Sequence, residues 1–69
     1  MKLSARNMLK GTVKEIETGA VNCVVKVDIG GGQLISSMIT LDACNDMGLK
    51  VGSEVYAIIK SSNVILGTM

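Results

Sequence analysis

Val21-Asn22-Cys23-Val24-Val25-Lys26-Val27-Asp28-Ile29, followed by Gly30-Gly31-Gly32, is the stretch that decides the fold. Successive side chains of an extended chain point to opposite faces, which puts Val21, Cys23, Val25, Val27 and Ile29 on one side and Asn22, Lys26 and Asp28 on the other. That alternation predicts a half-buried strand over 21–29. A phosphate-cradling loop needs Lys-Ser/Thr and a helix after its glycines. Here the apolar, β-branched run 34–39 follows instead, so the glycines read as a hairpin loop leading into a further strand.

Upstream, residues 9–16 read as an earlier strand whose apolar period slips between Val13 and Ile16, as a β-bulge causes, and Thr18-Gly19 supplies the turn to the next strand. Downstream the pattern changes. Thr40 can cap a short helix, Asp42 falls in its first turn where the helix dipole favours a carboxylate, and Gly48 ends it after Met47. Residues 49–53 are turn-rich. Over 54–60, Val55, Ala57 and Ile59 alternate with Tyr56, Ile58 and Lys60, predicting a strand with both faces largely covered. Ser61-Ser62-Asn63 then turns the chain into a last short strand over 64–66. The expected fold is all-β: a small five-stranded antiparallel barrel of oligonucleotide-binding (OB-like) topology, with one short helix after the third strand.

The 69 residues form one domain, 1–69, with no room for a linker. A domain this small buries only about 60% of the surface its unfolded chain exposes, so a disulfide, a metal or subunit contacts must supplement its core. With no histidine and only Cys23 and Cys44, far apart in sequence, a structural zinc site is not expected. The opening Met1-Lys2-Leu3-Ser4-Ala5-Arg6 has no apolar run to act as a signal peptide, which points to the cytoplasm. The two cysteines either bridge or, as a reducing compartment favours, sit as small buried hydrophobes. Subunit contacts are the staple that remains, and 48% apolar residues in so short a chain fit a homo-oligomer.

Seven Lys and Arg against six Asp and Glu leave no basic block for nucleic acid, and Tyr56 is the sole aromatic on which a base could stack. No apolar run approaches the roughly 20 residues of a membrane span. Catalysis is not expected: no motif activates a serine or cysteine, and Asp42 with Asp46 is the i,i+4 pair of a solvated helix face.

Chemistry concentrates at strand ends. Ser4-Ala5-Arg6-Asn7 and Lys60-Ser61-Ser62-Asn63 each join a cation to hydroxyl and amide donors, where backbone N–H groups leaving a ladder can line an anion-binding concavity. The start of the helix at Thr40 is a third donor-rich point. Each has an ordinary alternative: solvated terminal charges at Arg6 and Lys60, a plain cap at Thr40, turn chemistry at 61–63.

These same residues resemble a known family. Ser4-Ala5-Arg6-Asn7 with Leu9-Lys10-Gly11, Ile39-Thr40-Leu41-Asp42, Gly48-Leu49-Lys50-Val51-Gly52 and the ending Val55-x-Ala57-x-Ile59-Lys60-Ser61 are similar, across residues 4–66, to the molbindins. These are the free-standing Mop group among TOBE-like domains. The resemblance implies a hexamer, a trimer of dimers, holding molybdate or tungstate between subunits with neither an organic cofactor nor direct metal ligation by protein. Ser4, Ala5, Arg6, Lys60 and Ser61 would come from one subunit and Thr40 from a neighbour. A second pocket type would involve residues 18–22. Members often carry serine where Thr40 stands, and Cys23 and Cys44 lie outside the family pattern. The implied role is non-catalytic molybdenum storage or homeostasis; a structural oligomerisation module and a small nucleic-acid binder are the alternatives.

Overall fold

The computed structural model describes residues 3–69; Met1 and Lys2, part of the leader reading, lie outside them. Four antiparallel strands, β1 (Asn7–Thr18), β2 (Asn22–Gly30), β3 (Gln33–Thr40) and β4 (Glu54–Ile59), form one sheet in the order β3-β2-β1-β4. A single helix, α1 (Leu41–Asp46), follows β3. The sheet is a half-barrel rather than a closed one, and β3 and β4 are its edges.

The inward alternation of β2 holds where it matters, with Cys23, Val25 and Val27 buried together with Val13 of β1 and Cys44 of α1. Ile16, Ile29, Ile39, Leu41, Leu49 and Val55 pack around them. Val21 departs from the expected set: it precedes β2, is 70% exposed, and uses its carbonyl to accept from Leu41 N–H at 2.7 Å. Its backbone is thereby committed to joining α1 to the sheet.

β1 organises the architecture because it belongs to two ladders. Its first half pairs with β4, from Asn7↔Ile59 to Thr12↔Glu54, and its second half with β2, from Thr12↔Asp28 to Thr18↔Cys23. Gly11 lies at the crossing. A Cβ there would come within 2.6 Å of both the Asp28 carbonyl oxygen and Val27 Cγ1, so only glycine lets the strands approach this closely. Just beyond it, the register shifts between Val13 and Glu15, so that Val13 faces Val27 and Ile16 faces Val25. The extra residue, Lys14, is the expected bulge; it restores Ile16 to the inward face.

Gly30, Gly31 and Gly32 carry φ values of 100°, 63° and 76°, the left-handed region that side chains resist. Asp28 Oδ1 accepts from Gly30 N–H at 2.8 Å and secures this β2–β3 hairpin. At the other end of β3, Thr40 caps α1 with its hydroxyl oxygen, which accepts from Ala43 N–H at 3.0 Å.

Two expectations are corrected. The fifth strand over 64–66 is absent: after β4 the chain makes a single 3-10 turn, Ser61–Asn63, and continues without ladder partners. Val64, Ile65 and Leu66 are 46%, 92% and 89% exposed, since an apolar run becomes a strand only where it lies along an edge, and this one runs along neither β3 nor β4. Nor is β4 covered on both faces, for Tyr56 and Ile58 are 50% and 44% exposed. Between the two edges the interior stays open as a groove of 390 Å³, walled by Val25, Val27, Ile35, Ile39, Val55 and Ile59 among others.

Candidate functional site: two donor sets at opposite ends of β1

The Asn7↔Ile59 pair closes the β1–β4 ladder, so Arg6 and Lys60, the next residue outward on each strand, flank the same end of the sheet. Ser4 and Ala5 precede Arg6 there. Lys60 is also the N-cap of the 3-10 turn, whose closure is made by Asn63 N–H donating to the Lys60 carbonyl at 2.9 Å. The early N–H groups of such a turn, those of Ser61 and Ser62, have no partner within it. Five of the six expected residues, Ser4, Ala5, Arg6, Lys60 and Ser61, are thus gathered at one tip.

Thr40 is elsewhere. It pairs with Asn22 at the start of β2, and the neighbouring pair Thr18↔Cys23 marks the far end of β1. A strand rises about 3.3 Å per residue, and β1 is 12 residues long, so its length separates Thr40 from the Arg6–Lys60 tip of the same chain. Each copy therefore carries two partial donor sets that cannot meet within it. The turn over 18–22, suggested for a second pocket, lies at the Thr40 end and is closed by Gly19 N–H donating to the Asn22 carbonyl at 2.8 Å.

The donor supply at α1 is smaller than a free helix start offers. Leu41 N–H is taken by Val21 and Ala43 N–H by Thr40 itself, leaving the Asp42 N–H and the hydroxyl hydrogen of Thr40 for a ligand. The hydroxyl can do both, because it accepts through oxygen and donates through hydrogen.

Arg6 and Lys60 are free to meet an anion. The ion pairs among the described residues are Lys10–Glu54 at 4.0 Å and Lys26–Glu15 at 3.6 Å, which use neither of them. Ser4, Arg6, Thr40, Lys60 and Ser61 are exposed and Ala5 is half-buried. No cluster of three or more His, Cys, Asp or Glu side chains suited to a metal ion occurs among the described residues. The 390 Å³ groove is apolar apart from Ser36, Ser37 and the Tyr56 hydroxyl, and the tip residues do not line it. Burial, and then the adjacent Cys44 thiol, push the Cys23 thiol above its ordinary value. Among the described residues, no helix is long and apolar enough to cross a membrane.

The chain is an OB-like half-barrel with hydroxyl, amide and cationic donors at its strand ends and the Asp42 carboxylate beside Thr40. The TOBE domain family matches residues 3–66. A probable molybdenum-pterin-binding protein of Haemophilus influenzae is 54% identical over 67 residues, covering 97% of both chains. Molybdenum-pterin-binding protein 3 of Clostridium pasteurianum is 44% identical, covering 96% of this chain and 97% of that one. Among solved structures, MopII from Clostridium pasteurianum superposes with a TM-score of 0.90 at 40% identity, covering 97% of this chain and all of that one. The cytoplasmic molybdate-binding protein ModG, with molybdate bound, superposes at 0.95 and 55% identity over 100% of this chain and 49% of its own. The chain belongs to the TOBE domain family and, within it, to the Mop group of molybdenum-binding proteins.

Proposed function

We propose that this protein binds molybdate, and tungstate as its near-equivalent, without catalysing a reaction, in pockets that form only between copies of the chain. In each pocket Ser4, Ala5, Arg6, Lys60 and Ser61 of one copy meet Thr40 of a neighbour. The observation that carries this reading is the separation of the two donor sets by the length of β1, which leaves each incomplete alone. The relative solved with molybdate bound supports the ligand.

A molybdate dianion presents four acceptor oxygens and no donors, so its complement is a shell of N–H and O–H groups with modest positive charge. Hydrogen bonds to a charged group contribute about 1.5–3 kcal/mol each, so a few of them, less the desolvation of the anion, reach the roughly −8 kcal/mol of micromolar binding. Sulfate shares the shape and charge but is smaller. It cannot reach every donor of a cage sized for the larger ion, and the bonds it leaves unmade discriminate against it. Reversible binding of this strength suits cytoplasmic storage or homeostasis of molybdenum.

The assembly we propose is the hexamer, three dimers around a common axis. Its support is the open apolar groove together with the exposed Val64, Ile65 and Leu66, surfaces that a lone copy leaves in water. Calorimetric titration of the purified protein with molybdate, tungstate, sulfate and a molybdenum-free pterin tests the reading, alongside its mass by light scattering. Saturable heat with the two metal oxyanions, near zero with sulfate, from an oligomer is the expected result. Equal binding by a stable monomer, or binding of the pterin alone, overturns it.

A further inference from the structure

Cys23 and Cys44 have no role in the oxyanion site, yet their placement is specific. Cys23 lies on the interior strand β2, near its start, opposite Ile39 of β3 and Thr18 of β1, while Cys44 is the buried residue of α1. They are 1% and 5% exposed and are two of the five residues of one buried core, the Cys44 thiol adjoining Cys23. Two thiols from elements far apart in sequence, held against each other, form a dithiol rather than two separate hydrophobes.

We propose that Cys23 and Cys44 are a redox-sensitive pair that closes to an intramolecular disulfide, fastening α1 to β2, with a low-molecular-weight disulfide as the oxidant. Deprotonated Cys44 attacks one sulfur of the small disulfide, whose S–S bond breaks, and the departing thiolate takes up a proton. Cys23 then loses its proton and attacks the Cys44 sulfur of the mixed disulfide, releasing the second small thiol. The protein loses two electrons and two protons, and one small disulfide becomes two thiols.

Burial protects both sulfurs, and neither lines the groove, so access comes through α1. This helix has six residues, one side-chain cap from Thr40, and glycines with positive φ at 48 and 52 on its C-terminal side. So short an element lifts by local opening without melting the sheet. Oxidation is accordingly slow, and sub-denaturing urea accelerates it. Once formed, the bridge closes a loop of the chain between 23 and 44 and stabilises the fold chiefly by restricting the unfolded state.

The test uses the full-length protein incubated with oxidised glutathione, denatured, alkylated and weighed. The expected result is the loss of two hydrogens from the monomer mass, no alkylation, reversal by reductant, and a Tm higher by more than about 5 °C. Cys44→Ala, with one alkylatable thiol, shows no such Tm change under the oxidant. The proposal is overturned if both wild-type thiols remain alkylatable, if glutathione stays attached without exchange, or if the disulfide forms between chains. None of these readouts depends on molybdate.

Discussion

Gly11 shows how much of the architecture rests on one missing methyl group. Its Cβ position is 2.6 Å from the Asp28 carbonyl oxygen, which is backbone and cannot swing aside. Gly11→Ala is expected to destabilise the fold by about 1–3 kcal/mol, the usual cost of overpacking, read as a lower urea midpoint with an unchanged slope. At Thr40 the hydroxyl caps α1 and, in the proposed pocket, donates to the oxyanion, so a substitution either removes both contributions or keeps both. Thr40→Val removes the cap at a cost of about 1 kcal/mol and also the donor offered to a neighbouring copy, whereas Thr40→Ser retains both. Molybdate titration of the two variants should therefore show weakened binding in the first and near-native binding in the second. Arg6→Ala removes a charged donor without touching the core; an affinity loss of about 10- to 100-fold, with Tm of the ligand-free protein unchanged, is the expected outcome. If Arg6 served only as a subunit contact, the same variant would change the assembly mass instead.

At the scale of elements, β1 is the piece whose reading from sequence succeeded in detail. The slip between Val13 and Ile16 is a local signal, because a side chain on the wrong phase of a two-residue period has to be either buried wrongly or corrected by an inserted residue. Lys14 is that insertion. Deleting it should leave Glu15 outward and Ile16 inward, the faces that the Val13↔Val27, Glu15↔Lys26 and Ile16↔Val25 pairs already give them, so thermal unfolding is expected to stay cooperative while the local bend of β1 is lost. The β2 alternation, the three hairpin glycines and the Thr40 cap were legible for the same reason: each depends on neighbours within a few residues. What the local pattern did not contain was partnership. Val64, Ile65 and Leu66 have the composition of a strand and Tyr56 and Ile58 that of a covered face, but whether an edge or a layer exists to receive them is a property of the whole assembly. Val21 failed by one position, where the chain leaves the ladder to meet α1. The candidate donors, Ser4, Ala5, Arg6, Thr40, Lys60 and Ser61, were expected from their chemistry and the family resemblance, and the structure adds where each lies. Their division between the two ends of β1 required the pairing register.

For the whole molecule, an interior open between its edge strands and an exposed apolar tail set the expected oligomeric behaviour. Removal of residues 64–69 is expected to lower both the assembly mass, measured by analytical ultracentrifugation, and the Tm, because buried intersubunit surface is lost while the four-strand sheet is kept. Molybdate should raise the Tm of the intact protein by mass action, more at higher ligand concentration, and sulfate at equal concentration should leave it in place. A truncated chain that retains the full mass would place the subunit contacts elsewhere, along the exposed faces of β3 and β4.

Under the proposed sharing of pockets between copies, a strand that keeps its two donor-bearing ends apart makes ligand retention a collective property. In an assembly that dissociates on dilution, holding capacity falls more steeply than the number of chains, since every departing copy spoils pockets on either side of it. A cell that stops making such a protein would release its cargo while most of the polypeptide was still intact.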